Sequence, residues 1–405
     1  MRQGNPDSSD AALPVASSAD PARLAWAGLI GLAAAMGIGR FVYTPILPPM
    51  AEALHLSQAQ AGWIASANFA GYLAGAMLAA GPLPGSPRVW FMAGLVASAL
   101  STAAMGLTTS ITMFALIRFL GGVASALVLV CGSTVVLEQL SAAGRPDLEG
   151  QHFAGVGAGI AASAILVSAL EVAGAGWRDL WFASGAVSLF AILAVAMLLP
   201  AAPPQGVAAP AAIRLPTTRA RRLSLLFWAY GLVGFGYVIT ATFLVAIVRG
   251  SSAARAAEPV VWVVVGLTAV PSVAAWMRIG RKIGLAEAFA LASVIEALGV
   301  IDSVLFPTIE GALVAAALLG VTFIGLTALG LTAVREGSAD PRRALGWMTA
   351  AFGIGQTVGP AFAGYVSHLT GNFVAASLCA AVGLVIAALL AAASRRAQTA
   401  AAIDN

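Results

Sequence analysis

Charge is what this chain has least of. Its 405 residues include 21 basic and 17 acidic side chains, 9% of the total, where an ordinary soluble domain carries about 25%. So little charge cannot cover the surface of a soluble fold of this length, which excludes one. Cysteine is nearly absent: Cys131 and Cys379 lie in apolar runs and support neither a disulfide framework nor a metal site. The three histidines (His55, His152 and His368) and the lack of paired acids in the apolar runs disfavour an intramembrane enzyme, which needs its groups at one depth. No GxxxxGK[ST] occurs, so a self-contained ATP-driven pump is disfavoured as well. No cofactor is expected. The first twenty residues have no apolar core, so no cleavable signal peptide is expected, and residues 1–23 read as a disordered cytoplasmic tail.

What the chain has is apolarity: 60% hydrophobic residues and a mean hydropathy of +0.92. A helix of about 20 apolar residues crosses the roughly 30 Å hydrocarbon core. Twelve such spans fall at about 24–48, 59–83, 88–108, 110–137, 150–172, 177–199, 223–248, 259–277, 284–306, 310–334, 345–367 and 371–393. All are predicted to be α-helical, because lipid offers backbone groups no other partner. An even number puts both termini on one side. If that side is the cytoplasm, sixteen basic residues lie there and three (Arg178, Arg249 and Arg255) lie opposite, which fits the positive-inside rule. The basic residues therefore read as topology, and no nucleic-acid partner is expected despite the net charge of +4. The lipid bilayer is the expected surrounding.

The Pro- and Ala-rich stretch 200–222 divides the spans six and six. It reads as a cytoplasmic linker between bundles at 24–199 and 223–393, with a second tail at 394–405. The halves resemble each other. GIGRFVYTPIL from Gly37 matches GFGYVITATFL from Gly234 at an offset of 197, and FAGVGAG from Phe153 matches AFGIGQT from Ala351 at 198. Two repeated six-helix halves are a transporter architecture, with the substrate near the midplane between them.

Several motifs carry a resemblance to a known family. RFLGGVASA from Arg118 resembles the fourth-helix motif of the major facilitator superfamily (MFS). GIGQTVGPAFAG on span 11 is similar to the Gly-Pro motif that the superfamily carries on its fifth helix, and RIGRK (278–282) to its loop motif. GIGRFVYTPILPPM followed by ANFAGYLAG resembles the YbfB/YjiJ-like branch. The resemblance implies an all-α fold of two six-helix bundles, secondary transport by alternating access, no enzymatic activity, a monomer, and a bacterial cytoplasmic (inner) membrane.

Two arginines, Arg40 and Arg118, fall inside spans, where charge is costly and marks function by default. Counting 1.5 Å per residue puts them at similar depth, and the resemblance puts their helices on the cavity wall. A cavity-facing arginine favours a carboxylate or phosphate held bidentately. Tyr43 lies one turn from Arg40. The repeat aligns Tyr237 with Arg40 and Thr240 with Tyr43, so the second half offers hydroxyls. Asn68, Tyr72 and Gln356 are further polar candidates for substrate contact. Glu296, an acid near mid-depth on span 9, is the proton-coupling candidate. Pro45 and Pro360 are expected to bend helices for gating, and Gly71, Gly75, Gly355 and Gly359 to pack helices closely. His152 and His368 read as interfacial.

The leading expectation is a secondary transporter of a small organic anion, with proton coupling open. The alternative is proton-driven efflux of amphipathic compounds, with Arg118 serving proton exchange.

Overall fold

In lipid a backbone amide must bond within its own segment, and every predicted span is helical in the computed structural model. The structure describes residues 20–199, 218–338 and 341–403; the predicted tail 1–19 and linker 200–217 lie outside the described residues. The first half holds α1 (Pro21–Leu32), a π-helical turn (Ala33–Ile38), α2 (Tyr43–Leu54), α3 (Gln58–Ala80), α4 (Pro87–Ala104), α5 (Ile111–Ala142), α6 (Glu149–Val172) and α7 (Trp177–Leu198). The second holds α8 (Thr218–Gly250), α9 (Glu258–Ala269), α10 (Ser272–Ile283), α11 (Leu285–Leu305), α12 (Ile309–Gly337), α13 (Pro341–Thr370) and α14 (Val374–Ile403). Span 1 is thus α1 and α2 joined by an irregular turn, and span 8 is α9 and α10, bent by 45°. Helix also covers 218–222, read as linker, and 394–403, read as tail.

Among the described residues, ten helical stretches are long and apolar enough to cross a membrane, and eleven if the bent α9–α10 pair is one span. The twelfth rod, α13, has the length at 30 residues but carries Gln356, Thr357, Ser367 and His368 among its glycines. Short polar caps start the helices. Ser57 and Gln60 form a capping box on α3, Ser110 caps α5, and Thr308 caps α12. Arg23 and Arg88 donate to the terminal carbonyls of α7, at Met197 and Leu199, where cations suit the helix dipole.

Within the first half α3 and α4 pack on α5, and α1 on α6; within the second α13 and α14 pack on α8, and α11 on α12. Across the halves α3 lies along α13, α6 along α9, and α2 against α8. Small residues set these seams. A Cβ on Gly71 would run into the Phe119 carbonyl, and one on Gly122 into the Asn68 carbonyl, so α3 and α5 meet backbone to backbone, as GxxxG pairs do in membranes. Gly75 faces Val123 in the same seam. Large apolar side chains such as Trp63, Met77 and Phe190 are exposed on the outside, where lipid is their natural solvent. Cys131 is buried and Cys379 is exposed.

The packing repeats in a different register from the sequence match. Gly155 and Gly159 abut Leu29 and Ala33, while Gly355 and Gly359 abut Gly231 and Phe235. Leu29 and Gly231 are 202 residues apart, as are Ala33 and Phe235, and both glycine pairs are 200 apart. Tyr237 therefore does not hold the packing position of Arg40, and reaches the site from its own place on α8.

Candidate functional site

The site starts from the break in span 1. Gly39 and Phe41 donate their N–H groups five residues back, to Ala34 and Met36, which makes the π-turn. The amide of Thr44 then turns to the Phe41 carbonyl and leaves the Arg40 carbonyl without it. Pro45 sits in the first turn of α2, where a missing N–H is an orphan anyway. Pro45, expected to cause the bend, thus follows it, and the irregular stretch ends before it.

Arg118 fills the gap. Its Nη1 donates to the Gly39 carbonyl at 3.0 Å and its Nη2 to the Arg40 carbonyl at 2.8 Å. It is 4% exposed and lies over the Tyr43 ring at 5.1 Å. The Tyr43 hydroxyl donates to the Ala61 carbonyl, and Asn68 Nδ2 to the Arg118 carbonyl, both at 2.9 Å. Arg118, Tyr43 and Asn68 therefore hold span 1, α3 and α5 together around the break.

The Arg40 side chain has no such employment. It is 3% exposed, and its Nε and Nη2 find no hydrogen-bond partner. Its guanidinium carbon lies 4.1 Å from the Tyr72 ring centroid, 4.6 Å from Phe69 and 5.5 Å from Phe41. Cation–π contact partly offsets the loss of water around a buried cation, but leaves the Nε and Nη2 donors free.

From Phe41 a chain of rings runs into the second half. Phe41 meets Phe323 edge-on at 5.8 Å, Phe323 and Phe352 each stack on Tyr237 at 5.7 Å and 14°, and Tyr230 stacks on Phe352 at 4.6 Å. Gln356 hydrogen-bonds the Tyr237 hydroxyl, and its Oε1 has no partner. Thr240 is fully buried with an unpartnered hydroxyl. Glu296 is buried and bonds Thr322, next to Phe323, and its Oε1 is unpartnered. The structure thus gathers Arg40, Tyr72, Tyr237 and Gln356 around one ring cluster. Phe41, Phe69, Tyr230, Phe323 and Phe352 were missed by sequence reasoning, because a ring in an apolar run carries no signal.

The remaining candidates lie elsewhere. Pro360 has its carbonyl against Gly62, and Ser66 accepts the N–H of Ala361, so this part of α13 binds the halves together. His368 is exposed, but His152, expected at an interface, is fully buried beside Gly28, with Nε2 3.0 Å from the Ser133 hydroxyl. Among the described residues no group of three metal-ligating side chains occurs.

One charged cluster joins the halves at a span end. Arg249 of α8 bonds Glu258 of α9 and, at 2.9 Å, Glu171 of α6; Glu52 of α2 is at 4.0 Å. Nearby, Thr44 donates to the Ala241 carbonyl at 2.7 Å. A cleft of about 270 Å³ lies between the halves here, lined by Pro45, Val245, Arg249 and Trp262 among others.

A membrane fold of two repeated helical halves, with a buried cation and polar groups between them, is that of an MFS secondary transporter. The chain belongs to the MFS family described as "Uncharacterised MFS-type transporter YbfB", whose pattern it matches over residues 32–392. It is 29% identical over 229 residues to the "Uncharacterized MFS-type transporter YceJ" of Bacillus subtilis (strain 168), a match over 52% of this chain and 54% of that relative, so it spans about half the relative's length. Its fold is similar to that of the nucleoside transporter NupG, with a TM-score of 0.66, 15% identity, and coverage of 92% of this chain and 98% of that one. A bacterial homolog of the human lysosomal transporter Spinster, inward-facing and occupied, gives 0.67 and 17%, over 93% and 96%.

Proposed function

We propose that this transporter carries a small organic anion across the bacterial inner membrane, with both termini cytoplasmic, as a monomer working by alternating access. The observation that carries the reading is Arg40: a buried guanidinium with two unpartnered nitrogens beside the seam between the halves. A carboxylate would accept from both at once and restore the lost hydrogen bonds. Arg118 is its positioning residue, since it fixes the backbone of Arg40 itself. Arg249 and its three acids clasp the halves at one end, and that end is assigned to the outside, where few basic residues are expected.

Glu296 is proposed as the proton-coupling group, on its burial and its unpartnered oxygen. Uptake into proteoliposomes tests both proposals. Arg40→Lys and Arg40→Ala abolish anion uptake, because Lys lacks the bidentate fork; full transport by Arg40→Ala overturns the anchor. Glu296→Gln keeps counterflow and loses pH-driven accumulation; accumulation that survives removes the coupling role. Thermal stabilisation by cationic dyes alone, and by no carboxylate or phosphate, favours efflux of amphipathic compounds instead.

A further inference from the structure

The unpartnered polar atoms around the ring cluster fall into two groups on opposite halves. On the first half they are the Nε and Nη2 of Arg40, which only donate. On the second they are the Gln356 amide oxygen and Glu296 Oε1, with the unpartnered Thr240 hydroxyl one turn along α8 from Tyr237. Between them lie rings in near-parallel array, with Tyr237 stacked at 14° on both Phe323 and Phe352. Arg40 itself is faced by Tyr72 and Phe69, so an anion that meets its edge enters between ring faces. Unpartnered polar groups on two sides of a cluster of rings specify a ligand with one polar group at each end and a flat apolar middle.

We infer that the transported anion is a planar aromatic carboxylate that carries a hydroxyl on the ring, away from the carboxylate. This rests on the anion reading above. The carboxylate meets Arg40. The ring slides against Tyr237, Phe323 and Phe352 in offset stacking, the arrangement that aromatic pairs prefer. A ring hydroxyl both donates and accepts, so it satisfies Thr240 and Gln356 whichever way their groups are turned. An aliphatic anion of the same charge leaves those two groups unpaired and cannot stack.

Binding to the purified full chain, measured by calorimetry, tests this with three probes of one charge: 4-hydroxybenzoate, benzoate and cyclohexanecarboxylate. We expect 4-hydroxybenzoate to bind about tenfold more tightly than benzoate, the difference a single unpaired buried group makes, and cyclohexanecarboxylate to bind most weakly. In a chain with Thr240→Val and Gln356→Leu, the advantage of 4-hydroxybenzoate over benzoate falls to within about twofold, whatever the change in the affinity the two probes share. Arg40→Lys weakens all three probes. If cyclohexanecarboxylate binds as tightly as 4-hydroxybenzoate and Arg40→Lys weakens both, the aromatic assignment is overturned while the anion reading stands. If 4-hydroxybenzoate binds no better than benzoate, the hydroxyl assignment falls. If no probe binds, this proposal is overturned, and the anion reading is decided separately by the Arg40 uptake assay above.

Discussion

Replacing Arg118 by Gln asks whether this arginine is the strut of span 1. The side chain satisfies the carbonyls of Gly39 and Arg40, which the irregular turn leaves outside the helical ladder. Gln is shorter and can reach at most one of them. An orphaned buried carbonyl costs about 1–3 kcal/mol. Hydrogen bonds measured between membrane helices average nearer 0.6 kcal/mol, since the unfolded chain also finds partners in lipid. Removing the cation relieves some desolvation, and losing its contact with Tyr43 gives some of that back. A net loss of about 2 kcal/mol follows, equivalent to about 4–8 °C in the melting of a bundle of this size. Tryptophan fluorescence of the detergent-solubilised chain reads this shift. Hydrogen exchange gives a local check: amides at 39–46 should exchange about thirtyfold faster, the same 2 kcal/mol expressed as an opening equilibrium. Melting within 1 °C of the parent, with unchanged exchange, would refute the strut. A drop in melting with exchange spread evenly over the chain would refute its location.

Three further outcomes are expected. Gly122→Ala sets a methyl against the Asn68 carbonyl and separates α3 from α5, lowering stability by about 1–3 kcal/mol; size-exclusion yield and melting temperature report it. Arg249→Gln removes the cation shared by Glu52, Glu171 and Glu258. A reporter cysteine at Val245, with Cys131 and Cys379 replaced by Ala, then reacts about fivefold faster with a maleimide, equivalent to about 1 kcal/mol of clasp; an unchanged rate shows that the cluster does not close this end. Asp147 accepts two hydrogen bonds from Arg145 in the loop before α6, which hold its carboxyl below its usual value. A depressed carboxyl contributes above the ordinary carboxylate range and loses its effect as the pH falls through its own value. Because the pair is exposed, Asp147→Asn leaves the melting temperature at pH 7 unchanged within about 1 °C.

The fold was legible because lipid removes the alternatives: each apolar run had to be a helix, and the run lengths set the spans. Arg40 and Arg118 were legible as charges that no topological rule explains. Their division of labour was not, because it depends on where span 1 leaves the helical ladder. Gly37, Gly39 and Pro45 mark that neighbourhood, and the proline drew attention to the wrong turn. The glycine spacing pointed to close helix packing, yet the short matched motifs aligned the halves several residues away from the register in which the glycines pack. G-x-G patterns recur along these helices, and only the carbonyl opposite each glycine tells which one packs. The ring cluster was invisible for a plainer reason: in a chain that is 60% hydrophobic, Phe323 and Phe352 look like any other core residue until the helices that carry them are brought together.

The seams between the halves bear on the kinetics of the transport cycle. Along α3 and α13, Gly62 meets the Pro360 carbonyl; along α6 and α9, Gly157 meets Gly266. Backbones in direct contact can roll on one another but cannot part without opening a void. Rolling keeps the buried area of these seams nearly constant, so the two facing states draw equally on them and the seams themselves prefer neither side. A bulkier residue at Gly62 or Gly157 would therefore act as friction, slowing inward and outward conversion by the same factor and leaving the resting populations to the contacts at the two ends.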